Sequence, residues 1–269
     1  MRPLRYSAFS ADPAGGNPAG VVLDASGMDE AEMHAVAGEL GYSETAFLFP
    51  GDVIRYFSPL AEVPFCGHAT IATAVAHARS HGPGTLVLST RAGEVPVTTA
   101  LDATGAVTAT LTSVAPRSQP LTDLPALLSA LRWPAADLDP ALPAALAYAG
   151  AWHPIIAAAT RTRLAELDYD YPALSALMAE RGWTTVNLVY RESASVFHSR
   201  NPFPPGGVVE DPATGAAAAA LGGYLRERAL AAGEITVHQG VDMGRPALIT
   251  VGIPAEGGIS VSGTAVEIG

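Results

Sequence analysis

The chain contains no lysine; all fifteen of its basic residues are arginines. That leaves no side chain for a Schiff base to pyridoxal phosphate, for a P-loop phosphate contact, or for any amine nucleophile. A single cysteine, Cys66, excludes an internal disulfide and, on its count alone, a cysteine-based zinc site. The opening segment MRPLRYSAFSADPAGG has no apolar core of the kind a secretion signal needs. The stretch Ala141 to Thr160 is uncharged, but Pro143, Gly150, His153 and Pro154 interrupt it and most of the rest is alanine, so it does not read as a membrane span. A soluble protein of the reducing cytoplasm is the expectation.

What is present is enough for a substantial core. Apolar residues make up 49% of the 269 positions, which places the chain among globular proteins of one large or two small domains. Its formal charge of −11 disfavours broad nucleic-acid binding and polybasic membrane contact.

The sequence repeats itself. Pro64-Phe-Cys-Gly67-His-Ala69-Thr-Ile-Ala72 and Pro212-Ala-Thr-Gly215-Ala-Ala217-Ala-Ala-Ala220 share the pattern P-x-x-G-x-A-x-x-A. Upstream, the run from Glu39 through Gly41 and Glu44 to Phe49 matches the run from Glu180 through Gly182 and Thr185 to Tyr190. Each follows a helical stretch, Met28 to Leu40 or Tyr171 to Arg181, and each passes a glycine suited to end a helix. Between these anchors, Phe57-Ser-Pro59 aligns with Arg200-Asn-Pro202. The segments 67–78 and 215–225 carry no formal charge at all, so both predict helices buried on every side. Gly222 and Gly223 fit such a helix where strands approach closely. Short β-rich runs at 85–90, 94–99, 106–112, 184–190, 235–239, 247–252 and 259–268 surround the two helices. The expected fold is α+β, with two pseudo-symmetric domains. Each is a mostly antiparallel, barrel-like sheet around one central buried helix. The boundaries are 1–115 and 116–269, with the last strand free to cross to the first half.

Duplication directs attention to where the copies differ. Glu44 corresponds to Thr185, His68 to Ala216 and Val63 to Asp211, so three groups able to hold or move protons exist in one copy only. Each has an ordinary alternative: Glu44 as a solvated strand-start residue, His68 as a polar helix-start residue, and Asp211-Pro212 as a helix cap with proline at the first helical position. Cys66 reads first as a small buried apolar residue, although its place beside a helix start would activate a thiol. The backbone N–H groups at Gly67-His68 and Gly215-Ala216 are suited to an anion, with Asn17 in the Gly16-Asn17-Pro18 loop as a further amide contact or a plain turn. An interdomain cleft taking a small carboxylate is the expected site.

The motifs GGNPAGVVLDA (15–25), SETAF (43–47), RYFSP (55–59), VPFCGHAT (63–70) and VEDPATG (209–215) together resemble the PhzF-like family of phenazine-biosynthesis isomerases, which share the diaminopimelate-epimerase fold. The resemblance implies an isomerase needing no cofactor and no metal, commonly a homodimer. It implies Glu44 as the acid/base residue, His68 as its support, and Asp211 with Gly215 as the second-domain part of the site. Two departures stand out. Ala216 occupies a position where family members often carry serine, and Thr214 matches Cys66, so the two-thiol chemistry of the epimerase cousins is excluded. The expected activity is a double-bond shift by general acid–base catalysis on a small carboxylate-bearing metabolite. The alternatives are an epimerase or racemase with one thiol base, Cys66, working with Glu44 or Asp211, and a non-catalytic carboxylate-binding protein.

Overall fold

The computed structural model describes residues 2–269. The chain divides into two compact units, one running to residue 112 and including 262–269, the other spanning 113–261.

The first unit contains β1 (Leu4–Ala8), β2 (Asn17–Val22), α1 (Glu30–Leu40), β3 (Glu44–Phe49), β4 (Val53–Phe57), β5 (Glu62–Val63), α2 (Gly67–His81), β6 (Thr85–Thr90), β7 (Gly93–Leu101) and β8 (Val107–Thr112). The last strand of the chain, Ser260–Glu267 (numbered β17 in chain order), pairs with both β1 and β8. Its pairing closes an eight-stranded barrel in the order β17, β1, β2, β3, β4, β6, β7, β8. Two of these pairings, β2–β3 and β4–β6, are parallel. A parallel step needs a crossover, and α1 and α2 supply them.

The second unit contains β9 (Arg117–Pro120), α3 (Leu124–Leu131), β10 (Ala145–Tyr148), β11 (Trp152–Ala157), α4 (Arg161–Ala165), α5 (Tyr171–Arg181), β12 (Asn187–Arg191), β13 (Val196–Pro202), β14 (Glu210–Asp211), α6 (Gly215–Glu227), β15 (Gly233–Gln239) and β16 (Ala247–Ile253). From β10 to β16 the pairings run antiparallel, parallel, antiparallel, antiparallel, parallel, antiparallel. From β1 to β7 they run in the same sequence. The duplication read from the motifs is therefore present in the hydrogen-bond ladders. The α+β class and the paired architecture follow the sequence expectation.

The ladders also correct one equivalence. Phe47 lies opposite Arg55, and its counterpart Leu188 lies opposite Arg200. Arg55 therefore answers to Arg200, and Pro59 to Pro204 rather than Pro202. The proline match was misleading because proline is common in both loops, whereas the strand register admits one solution.

That register exposes a duplicated ion pair. Arg55 donates to Glu62 through Nε (2.7 Å) and Nη2 (2.6 Å). Arg200 donates to Glu210 through Nε (2.9 Å) and again through Nη2. Each bidentate pair ties a two-residue strand, β5 or β14, to its long neighbour. Each short strand then leads into a buried helix. The Arg55 guanidinium holds the Glu62 carboxyl below the usual carboxylate range.

Helices α2 and α6 explain the missing charge. In α2 every residue from His68 to Ala76 is buried, and in α6 every residue from Ala217 to Leu225. A Cβ at Gly222 would stand 2.8 Å from Ile259 Cγ2 and 2.9 Å from Val251 Cγ1, and one at Gly223 would stand 2.4 Å from Pro116 Cβ. Both glycines thus answer to close approach, as their position in an apolar helix suggested. The peripheral helices α1 and α5 end on Gly41 and Gly182, both left-handed at φ 66°. Among the described residues no helix is long and apolar enough to cross a membrane.

Breaking the more buried pair leaves an uncompensated interior charge. Glu210→Gln is expected to lower unfolding free energy by about 3–5 kcal/mol, measured by urea titration. Arg55→Met should cost less, because Arg91 also reaches Glu62, at 2.6 Å, and remains in place.

Candidate active site

Glu44 is the first residue of β3, and Cys66 and His68 flank the start of α2. The fold brings the three together. Glu44 Oε2 lies 3.6 Å from His68 Nε2, and Cys66 Sγ approaches Glu44 Oε2 at 3.5 Å. Cys66 Sγ lies 3.3 Å from His68 Nδ1 and 3.9 Å from Nε2. Cys66 and His68 are buried, while the Glu44 side chain keeps 17% of its exposure. A carboxylate, a thiol and an imidazole within reach of one another can exchange protons, and one of them meets solvent.

The backbone at this point is fixed from below. Thr70 Oγ1 donates to the Cys66 carbonyl at 2.6 Å. Its only hydrogen is thereby used, so the buried Tyr56 hydroxyl donates to Thr70 Oγ1, also at 2.6 Å. Neither Tyr56 nor Thr70 was singled out from the sequence, since nothing in their spacing marks a contact between a strand and a helix. Gly67 opens α2, and Cys66 stands at its cap without a side-chain capping bond. His68 is therefore the second residue inside the helix and not its cap. Asn17 begins β2, buried and opposite Ala8.

In the second unit Asp211 ends β14, and Gly215 and Ala216 open α6. The cap reading of Asp211 is corrected: the cap position belongs to Thr214, whose hydroxyl donates to Asp211 Oδ2 at 2.6 Å. Gln239 holds this turn from the end of β15. Its amide nitrogen donates to the Asp211 carbonyl (2.7 Å) and to Thr214 Oγ1 (3.0 Å), and its oxygen accepts from the Thr214 N–H (3.0 Å). Sequence reading missed Gln239, although a signal existed: it occupies an inward position in the alternation Ile235, Val237, Gln239, where an apolar residue is expected. Behind it, Gly240 is left-handed, and a Cβ there would stand 2.7 Å from the Pro212 carbonyl oxygen.

Thr185, the counterpart of Glu44, does something different. It donates to Asn201 Oδ1 at 2.8 Å, so the His153 ring donates to it through Nδ1 at 2.9 Å. Asn201 donates to Ser199 (2.9 Å), Ser199 to Asn187 (2.7 Å) and Asn187 to the Ala217 carbonyl (3.0 Å). All five side chains are buried. The position that carries a carboxylate in the first unit is here closed into a directed chain of neutral hydrogen bonds. A surface cavity of about 500 Å³ bordered by Gln119, Asp123, Arg181 and Trp183 also lies in this unit. It contains none of the candidate residues, and its Arg181 and Asp123 are paired with each other.

The family model for phenazine biosynthesis-like proteins (PhzC–PhzF) matches residues 6–268. The chain belongs to the PhzF family. It is 33% identical to the uncharacterized isomerase YddE of Escherichia coli K12 over 99% of this chain and 96% of that one. It is 31% identical to the trans-2,3-dihydro-3-hydroxyanthranilate isomerase of Pseudomonas chlororaphis over 97% and 95%. Among solved structures, a PhzF-family protein from Bacillus anthracis superposes with a TM-score of 0.89 at 26% identity, covering 100% and 98% of the two chains. A probable proline racemase from Agrobacterium radiobacter shares the fold at a TM-score of 0.65 and 15% identity, over 99% and 91%. As a PhzF-family member the chain is an isomerase.

Burial holds the His153 imidazole down to about 4. Above about pH 6.5 the ring is neutral whether the chain is folded or not. As pH falls from there towards 4, the unfolded chain takes up a proton that the folded one refuses, and stability is lost. The wild type is expected to lose on the order of 3 kcal/mol across that window through this group. His153→Gln should show a flatter acid limb when urea midpoints are compared at several pH values.

Proposed function

We propose that this isomerase moves a proton on a small carboxylate-bearing metabolite, shifting a double bond, with Glu44 as the general acid–base. One observation carries the reading. Glu44 stands beside the Cys66 thiol and the His68 imidazole with part of its carboxylate exposed, while its counterpart Thr185 is sealed into neutral hydrogen bonds. Glu44 takes a proton from an activated carbon and returns one at a conjugated position. His68 steadies the carboxylate as it changes charge.

In this reading the N–H groups at the start of α2, Gly67 and His68, favour the substrate's carboxylate and the negative charge that develops on it. Asn17 adds an amide contact. In the second unit, Gly215 and Ala216 form the matching helix start, and Asp211, fixed by Thr214 and Gln239, is its candidate polar contact. The reaction needs no organic cofactor. Ala216 offers no hydroxyl, which separates this chain's substrate from that of serine-bearing relatives. The resemblance to the family supports a cytoplasmic homodimer, and sedimentation equilibrium checks the dimer.

Glu44→Gln is expected to keep ligand binding and to lower kcat by about 10²- to 10⁴-fold. Substrate candidates come from a metabolite pool screened by shifts in Tm. Unchanged turnover in Glu44→Gln would refute the assignment.

A second reading is favoured by the 3.5 Å contact between Cys66 and Glu44: a one-thiol epimerase in which Glu44 accepts the Cys66 proton and the thiolate acts as the base. Cys66→Ser separates the two, since the double-bond shift by Glu44 predicts little change in kcat and the thiol epimerase predicts its loss. Incorporation of deuterium from heavy water distinguishes either from a protein that only binds.

A further inference from the structure

The same three side chains form a triangle with the dimensions of a metal site. A tetrahedral zinc ion holds sulfur at about 2.3 Å, imidazole nitrogen at about 2.0–2.1 Å and carboxylate oxygen at about 2.0–2.2 Å, which sets those ligand atoms about 3.3–3.7 Å from one another. In the protein, Cys66 Sγ to Glu44 Oε2 is 3.5 Å and Glu44 Oε2 to His68 Nε2 is 3.6 Å. Cys66 Sγ to His68 Nε2 is 3.9 Å, within rotamer adjustment of the same window. Among the described residues this is the one group of three or more His, Cys, Asp or Glu side chains that meets the spacing for a shared ion.

We propose that Glu44, Cys66 and His68 bind a borderline-soft divalent ion, Zn²⁺, as an inhibitor. The donor set fits that ion. A thiolate and an imidazole favour zinc over magnesium or calcium, and a thiolate with a carboxylate cancels its charge. Three protein ligands leave the fourth tetrahedral position open to water or an incoming carboxylate. The anchor is rigid, because the Tyr56–Thr70 chain fixes the Cys66 carbonyl, and the partly exposed Glu44 is the side from which an ion arrives. Binding displaces the thiol proton, so affinity falls as pH is lowered. The ion would also withdraw Glu44 from proton transfer; that consequence alone rests on the function proposed above.

This reverses the exclusion of a cysteine-based zinc site that a count of one cysteine suggests. The triangle is completed by a residue 22 positions earlier and by another helix residue, which no spacing rule anticipates.

Cobalt(II) is the probe, added to the whole chain. The expected result is a thiolate-to-cobalt charge-transfer absorption in the near ultraviolet with intense visible bands of four-coordinate cobalt, both abolished by Zn²⁺. Cys66→Ser should lose the charge-transfer absorption, with circular dichroism confirming the fold. Glu44→Gln, a change at a partly exposed side chain, should weaken cobalt binding at least about tenfold. Absence of the charge-transfer absorption in the wild type overturns the proposal, as does its persistence at full affinity in Glu44→Gln. These readouts involve no turnover. Cobalt binding together with an active Glu44→Gln enzyme removes the proposed function and leaves the metal site standing. No cobalt binding together with an inactive Glu44→Gln does the reverse.

Discussion

Burying a helix on every side is the constraint from which the rest of each unit follows. An α-helix has backbone groups without partners at its start, and a sheet that encloses the helix must also accommodate that end. Side chains on the first turn are then taken out of bulk water whatever their chemistry. In α2 this buries His68, with Cys66 at the cap; in α6 the cap residue Thr214 is buried, while Gly215 and Ala216 stay half-buried. The Arg–Glu pairs serve the same constraint, because they fix the two-residue strands that deliver the chain to each helix start. Both copies keep the pair, which marks it as part of the scaffold rather than of the chemistry.

Against that shared scaffold, the two copies have settled the same strand position in opposite ways. At Thr185 a chain of hydrogen bonds runs from His153 through Asn201, Ser199 and Asn187 to the Ala217 carbonyl. A buried neutral chain of this kind rigidifies a core. At Glu44 the neighbours are a thiol and an imidazole, groups whose charge can change. One copy closes the position with neutral hydrogen bonds, and the other leaves it beside groups that can change charge.

A group of proton carriers this close is also a group of metal ligands, since both roles require a lone pair aimed at a shared point. The features that make Glu44 suitable for proton transfer (partial exposure, a fixed thiol on one side and an imidazole on the other) are those that would admit zinc.

The sequence by itself determined the duplication, the two uncharged helices, the glycine stops at Gly41 and Gly182, and the three asymmetric residues Glu44, His68 and Asp211. These are local patterns: periodicity, a missing charge and a repeated motif survive in one dimension. The motifs also carried the family. Tertiary structure alone decided that Arg55 answers to Arg200, because register is a pairing between strands. It alone decided that Thr214 rather than Asp211 caps α6, that Gln239 holds the Asp211 turn, and that Tyr56 anchors Cys66 through Thr70. The register, Gln239 and Tyr56 assignments join different elements and are fixed only when those elements pack, while the Thr214 cap is local and rests on where α6 begins.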